Sequence, residues 1–217
     1  MNSNLTELVF ILDRSGSMAG LEADTVGGFN AMLERQKKEA GTALLSAVLF
    51  SDRSEVLYDR VNLQKVEPMT DAQYRVGGCT ALLDAIGGAV HHMRNVHKYA
   101  REEDRPAKTV FVITTDGMEN ASRRYTYEQV QRMVTEARET YGWEFLFLGA
   151  NMDAISAARR FGISENRAVR YECDREGTAL NFDVVSKTIG HFRAGAPIKA
   201  DWSDEIKSDY DKRGKKH

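Results

Sequence analysis

Residues 13 to 17 read Asp13-Arg14-Ser15-Gly16-Ser17, which puts a carboxylate and two hydroxyls on alternate positions of one short stretch. On a tight loop that spacing lets three oxygens face one point, and Gly16 is expected to take the dihedrals such a turn demands. All three are hard oxygen donors with no thiolate or imidazole among them. That donor set selects Mg²⁺, with Mn²⁺ or Ca²⁺ as alternatives, over zinc or copper. The loop follows Leu8-Val-Phe-Ile-Leu12, a short, non-alternating apolar run rich in β-formers, as expected of a central parallel strand covered on both faces. Asp13 then falls at the carboxyl end of that strand, where open α/β sheets place their ligands.

Two further oxygens stand at comparable places. Val76-Gly77-Gly78-Cys79-Thr80 is a glycine-rich loop opening a helix, because Leu82, Ile86, Val90 and Met93 repeat at helical spacing. Thr80 there reads as an N-cap or as a metal ligand, and the ligand reading gains from the Asp-x-Ser-x-Ser loop. Thr109 to Thr114 is another buried strand, ending in Thr115-Asp116-Gly117. Asp116 alone would be an ordinary Asp-Gly turn. At the same sheet edge as Asp13 it becomes a second carboxylate for one site.

In order and spacing, Asp13, Ser15, Ser17, Thr80 and Asp116 resemble the metal-ion-dependent adhesion site (MIDAS) of the von Willebrand factor type A (vWA) family. The resemblance extends over about residues 5 to 193. It implies a doubly wound, Rossmann-like, mostly parallel six-stranded sheet with one antiparallel edge strand and helices on both faces. It also implies that Ser15 and Ser17 bind the ion directly, that Thr80 is a direct or switching ligand, and that Asp13 and Asp116 act through water. The function implied is a metal-dependent protein-binding module, not an enzyme, that captures an Asp or Glu of a partner. Hydroxyl ligands leave the cation under-neutralised, so an incoming carboxylate suits an open position.

The rival class is a haloacid-dehalogenase-like metal-dependent phosphatase using Asp13 as nucleophile. Such enzymes carry an acid/base Asp two residues on, and Ser15 occupies that place. Neither G-x-x-x-x-G-K-[ST] nor G-x-G-x-x-G occurs, and Ser15 lacks the G-x-S-x-G context of a serine hydrolase. His91, His92 and His97 are not on one helix face and read as a solvated surface rather than a zinc site. Glu119, Asn120, Asn151 and Asp153 could rim the site, Glu119 foremost, or simply be turn residues.

The remaining elements must position these loops. Leu21 to Leu33 shows helical periodicity up to a stop at Gly41, with Gly27 and Gly28 inside it suggesting close packing or mere accident. Ala43 to Phe50 reads as a buried strand, joined by the Ser51–Ser54 turn to an antiparallel strand over Glu55 to Val61 whose charges suit an edge. Thr126-Tyr-Glu-Gln129 has capping-box form, starting a helix that runs to Gly142. A strand at Phe145–Leu148, a short helix capped by Asp153, a weak strand at Val169–Tyr171 and a closing helix over Leu180–Phe192 complete the alternation.

The 217 residues are 42% apolar and 29% charged, which suits one core, and a formal net charge of −2 argues against nucleic acid or membrane surfaces as partners. With no signal-like start and no long apolar run, the chain reads as soluble and cytoplasmic. Cys79 and Cys173 form no disulfide framework. A domain over 1–200 is expected, followed by a flexible tail over 201–217, where charge outweighs apolar content.

Overall fold

The computed structural model describes residues 1–150 and 153–214. Six strands form one sheet in the order β3-β2-β1-β4-β5-β6, with β1 Asn2–Asp13, β2 Thr42–Phe50, β3 Ser54–Asn62, β4 Pro106–Thr115, β5 Glu144–Gly149 and β6 Ala168–Arg170. Only the β2–β3 pair is antiparallel. The helices are α1 Glu22–Lys37, α2 Leu82–Tyr99, α3 Tyr127–Tyr141, α4 Ala154–Arg160, α5 Arg175–Arg193 and α6 Asp204–Gly214. No helix among the described residues is long and apolar enough to cross a membrane.

The sheet separates two cores because successive strand residues point to opposite faces. Leu8, Phe10 and Leu12 of β1 pack with α1 and α5. Val9 and Ile11 pack with α2, α3 and α4. Burial on both faces explains why the β1 and β4 segments read as unbroken apolar runs. Strand order reverses at β1, whose neighbours β2 and β4 lie on either side, so the chain crosses over between β1 and β4 and leaves a crevice at their carboxyl ends.

Of the two glycines in α1, Gly28 has a packing reason, since a Cβ there would come within 2.4 Å of the Phe182 ring on α5. Gly27 faces open space. His91 and His92 lie on the surface as expected, but His97 is buried, its ring 5.1 Å from that of Trp143. Both cysteines are free.

Glu7 in the middle of β1 is fully buried and pairs with Arg60 Nε of the edge strand β3 at 2.8 Å. Arg60 reaches it from a left-handed backbone (φ 51°) beside an irregularity in the β2–β3 register, where its amide donates to Ser46 Oγ. The bulge aims a long side chain inward across β2.

Within the 201–217 segment expected as a flexible tail, the described residues run to 214. Residues 204–214 are helical, and Ile206 is buried in the α1–α5 core. Arg213 bonds Asp174, the N-cap of α5, at 2.5 Å, and the Arg170 guanidinium sits 4.7 Å over the Tyr210 ring. Trp202, Ile206 and Tyr210, four residues apart, form one narrow stripe that docks against α5 and β6. Removing residues 203–217 should therefore lower the thermal midpoint by at least about 5 °C, because losing a buried isoleucine and its neighbours costs about 2 kcal/mol or more. A melting curve superimposable on that of the full chain would show that α6 contributes no stability.

Candidate functional site

The β1–β4 crevice brings the five predicted side chains together at the ends of three segments. Asp13 ends β1 and Thr115 ends β4; the parallel register aligns Leu12 with Thr114 and so sets Asp13 beside Thr115. The Asp13 carboxylate is held at both oxygens: Oδ1 accepts the Ser15 amide at 2.7 Å and Oδ2 accepts the Thr115 hydroxyl at 2.5 Å. Its carbonyl accepts the Tyr74 hydroxyl. The carboxylate thus shapes the loop, turning Ser15 and Ser17 to one side, where their Oγ atoms are 3.1 Å apart. Ser17 Oγ then donates to Asp116 Oδ1 at 2.6 Å.

Thr80 joins from the loop before α2. The loop lies across the first one through two backbone bonds, Gly16 N to Gly78 O and Gly77 N to Arg14 O, both 2.9 Å. The left-handed requirement lies at Gly78 (φ 82°) rather than at Gly16; a Cβ on Gly78 would also strike the Asp52 carboxylate at 2.2 Å. Asp52 instead accepts the Cys79 amide. Thr80 is not the N-cap of α2. Ala81 holds that position without a side-chain cap bond, and the first amides of the helix go to Glu119 and Ser122. Asn120 Oδ1 accepts the Thr80 amide at 2.9 Å, fixing the residue from the β4 side.

Gly117 stands between the hydroxyls. A Cβ there would lie 2.9 Å from Thr80 Oγ1 and 3.5 Å from Ser17 Oγ, so any larger residue would fill the space these oxygens border. Burial raises the Asp13 carboxyl above the usual range, and the neighbouring charge it feels is that of Asp116. Burial raises Asp116 as well. Cys173 donates to Asp116 Oδ2 at 3.9 Å, and its own thiol is pushed up to about 12, by burial first and the Asp116 charge second. A thiol raised in this way favours the protonated form that donates to Asp116.

Two carboxylates and three hydroxyls gathered in a desolvated crevice, with no cationic side chain compensating Asp13, fit a hard divalent cation. Among the described residues no three His, Cys, Asp or Glu side chains converge, so hydroxyls are indispensable to any ion site here.

Of the four expected rim residues Asn120 reaches the site, at the Thr80 amide, whereas Glu119 and Asp153 serve other elements. Glu119 is turned inward, its carboxylate accepting from Leu83 N, Ala121 N, Ser122 N and Ser122 Oγ. Both oxygens are consumed in organising the start of α2. Asp153 caps α4 through Ser156, and Asn151 lies outside the described residues. Thr115, Tyr74 and Cys173 are not among the residues the sequence singles out for the site. Thr115 carried a signal, since a strand-end Thr beside Asp116 borders the same crevice; Tyr74 and Cys173 arrive through long-range packing with no local pattern.

Thr115→Val should destabilise the chain by about 1–3 kcal/mol in chelator, because it leaves a buried carboxylate oxygen without its donor at nearly constant volume. Urea denaturation measures this, and an unchanged midpoint would show that the Thr115 bond is dispensable.

Comparison with known proteins gives a family and a fold. The family described as VWA domain containing CoxE-like protein matches residues 2–144, a span that includes all five site residues. No curated protein matches in sequence. Among solved structures, proximal thread matrix protein 1 from the mussel byssus, with a zinc-occupied MIDAS motif, superposes with a TM-score of 0.58 at 17% identity over 85% of this chain and 46% of that one. The von Willebrand factor type A protein from Catenulispora acidiphila gives 0.58 at 12% identity, over 84% of this chain and 42% of that one. The pilus adhesin SpaC from Lactobacillus rhamnosus GG gives 0.63 at 11%, over 86% and 30%. The chain spans less than half the length of these three proteins.

Proposed function

Taking as premise that the chain belongs to the VWA-domain CoxE-like family, we propose that it is a divalent-metal-dependent protein-binding module with a MIDAS-type site. Ser15, Ser17 and Thr80 would hold the ion, with Asp13 and Asp116 anchoring it through water. The observation that carries this reading is the convergence of the Ser15, Ser17 and Asp116 oxygens beside Thr80 around the space that Gly117 leaves open. When bound, the ion supplies an electrophilic position for an acidic side chain of a partner. Mg²⁺ is the cation best matched to a small, hydroxyl-rich oxygen set, with Mn²⁺ or Ca²⁺ as substitutes. The zinc-occupied motif of the byssus protein supports a divalent ion in this type of loop.

The residues themselves position rather than react. Asp13 is 1% exposed with both oxygens bonded, and Ser15 stands where such a phosphatase carries its acid/base Asp, which together disfavour Asp13 as a nucleophile. The hydroxyl donors are neutral, so the partner's carboxylate would meet a cation whose charge the protein has not cancelled.

Titration with Mg²⁺ or Mn²⁺ in a thermal-shift or calorimetric assay should show one site in the wild type and none in the Ser15→Ala, Ser17→Ala double variant. Identical responses of the two proteins would refute the assignment. Gly117→Ala should weaken the same response by about tenfold or more while leaving the far-ultraviolet circular dichroism unchanged, since its Cβ displaces the Thr80 hydroxyl without touching the core. Undiminished affinity in that variant would remove Thr80 from the ligand set.

A further inference from the structure

The sheet is covered unequally. Between the end of β3 and the start of α2 the chain sends Leu63, Val66, Met69 and Tyr74 into the α1-side core. That stretch therefore does nothing to cover the opposite face of β2 and β3. An open groove of about 1480 Å³ remains there, floored by Val48 and Val56 and walled by Ala85, Gly88 and Ala89 of α2. Val56 is 60% exposed, and a Cβ on Gly88 would meet nothing within 4 Å.

Continuity with the candidate metal site and charge together say what fits. Arg14, Cys79 and Asn120 line the groove; the first two directly precede Ser15 and Thr80, and Asn120 bonds the Thr80 amide. The carboxylates on the groove are already engaged. Asp84 accepts the amides of Arg123, Arg124 and Tyr125, Asp52 accepts that of Cys79, and Asp59 bonds His92. Arg14 is paired with Glu55, whereas Arg53, Arg123 and Arg124, which also line the groove, form no ion pair among the described residues. The groove thus presents the exposed Val56 beneath three guanidinium groups without ion pairs, while the carboxylates on its lining are turned to backbone amides and to His92.

We infer that this groove docks a partner segment in which further acidic residues flank the carboxylate that reaches the metal, interleaved with apolar side chains. The flanking acids pair with Arg53, Arg123 and Arg124, and the apolar residues cover Val56. An apolar floor favours a peptide over a nucleic acid, whose phosphates would gain nothing from it. The position of the leading carboxylate rests on the metal-site reading above; the groove and its charge do not.

The test is selection of a phage-displayed random peptide library on the full chain in Mg²⁺, followed by fluorescence anisotropy with the enriched peptide. Several Asp or Glu residues interleaved with apolar ones are expected in the enriched sequences. The triple variant Arg53→Glu, Arg123→Glu, Arg124→Glu should bind the peptide about tenfold or more weakly with a flatter salt dependence, while keeping the Mg²⁺ dependence. Among the described residues these side chains make no hydrogen bond or ion pair, and Arg124 only lies 5.9 Å over the Tyr125 ring, so the variant should fold; Val56→Asp probes the floor separately and should also weaken binding. If the enriched peptides share one acid without flanking preference and bind the triple variant as tightly as the wild type, the groove inference fails and the metal reading stands. If arginine-dependent binding persists in EDTA and in the Ser15→Ala, Ser17→Ala variant, docking stands and the metal reading fails. Arginine-dependent binding of a single-stranded oligonucleotide with no peptide enriched overturns the inference.

Discussion

Asp13 Oδ1 takes the Ser15 amide and Oδ2 the Thr115 hydroxyl, and these two bonds join the ends of β1 and β4 at the place where the sheet reverses its strand order. A carboxylate this deeply buried is costly unless both oxygens are bonded. Its neighbours are therefore held as firmly as it is. The Ser15 amide cannot leave without stranding Oδ1, so the serine loop keeps its curve. The Thr115 hydroxyl cannot rotate away without stranding Oδ2, so the following Asp116 stays opposite Ser17. The hydroxyl array of the crevice is in this sense a by-product of satisfying one buried acid.

The fold was legible because burial on both sheet faces makes the central strands continuous apolar runs, and because strands and helices alternate. The edge strand could be recognised by its charges at Glu55, Asp59 and Arg60. The capping box at Thr126 and Gln129 formed as its spacing required. What remained hidden has physical causes. The helix α6 shows a single apolar stripe one residue wide among charges, too narrow to outweigh its polar composition. Glu119 looked like a free rim carboxylate because nothing local announces that it will fold back on the start of α2, a contact across some 36 residues.

The five oxygen-bearing positions were visible because each stands where an apolar strand or glycine-rich loop stops, which is a local property. Their supporting residues were not. Tyr74 reaches the Asp13 carbonyl from a segment without regular structure, and Asn120, legible only as a rim or turn residue, fixes the Thr80 amide from a different loop. A site's donors can thus be read as chemistry on a strand end, while the groups that hold them depend on how distant loops pack. The same packing decides which part of the sheet stays open: the segment after β3 has one set of apolar residues, and committing them to the α1 side leaves Val56 of β3 exposed on the other.

The ion pair between Glu7 and Arg60 has a consequence for how the sheet comes apart. Edge strands usually fray first, because only one neighbour holds them. Here the edge strand carries the cation of a carboxylate buried in the central strand, two strands away. Peeling β3 from β2 would leave that acid in the core with only the His97 ring beside it, 3.6 Å away, and removing one partner of a buried ion pair costs about 3–5 kcal/mol. Local fraying of β3 is thereby tied to opening of the whole sheet, so the outermost strand should share the slow amide exchange of the centre.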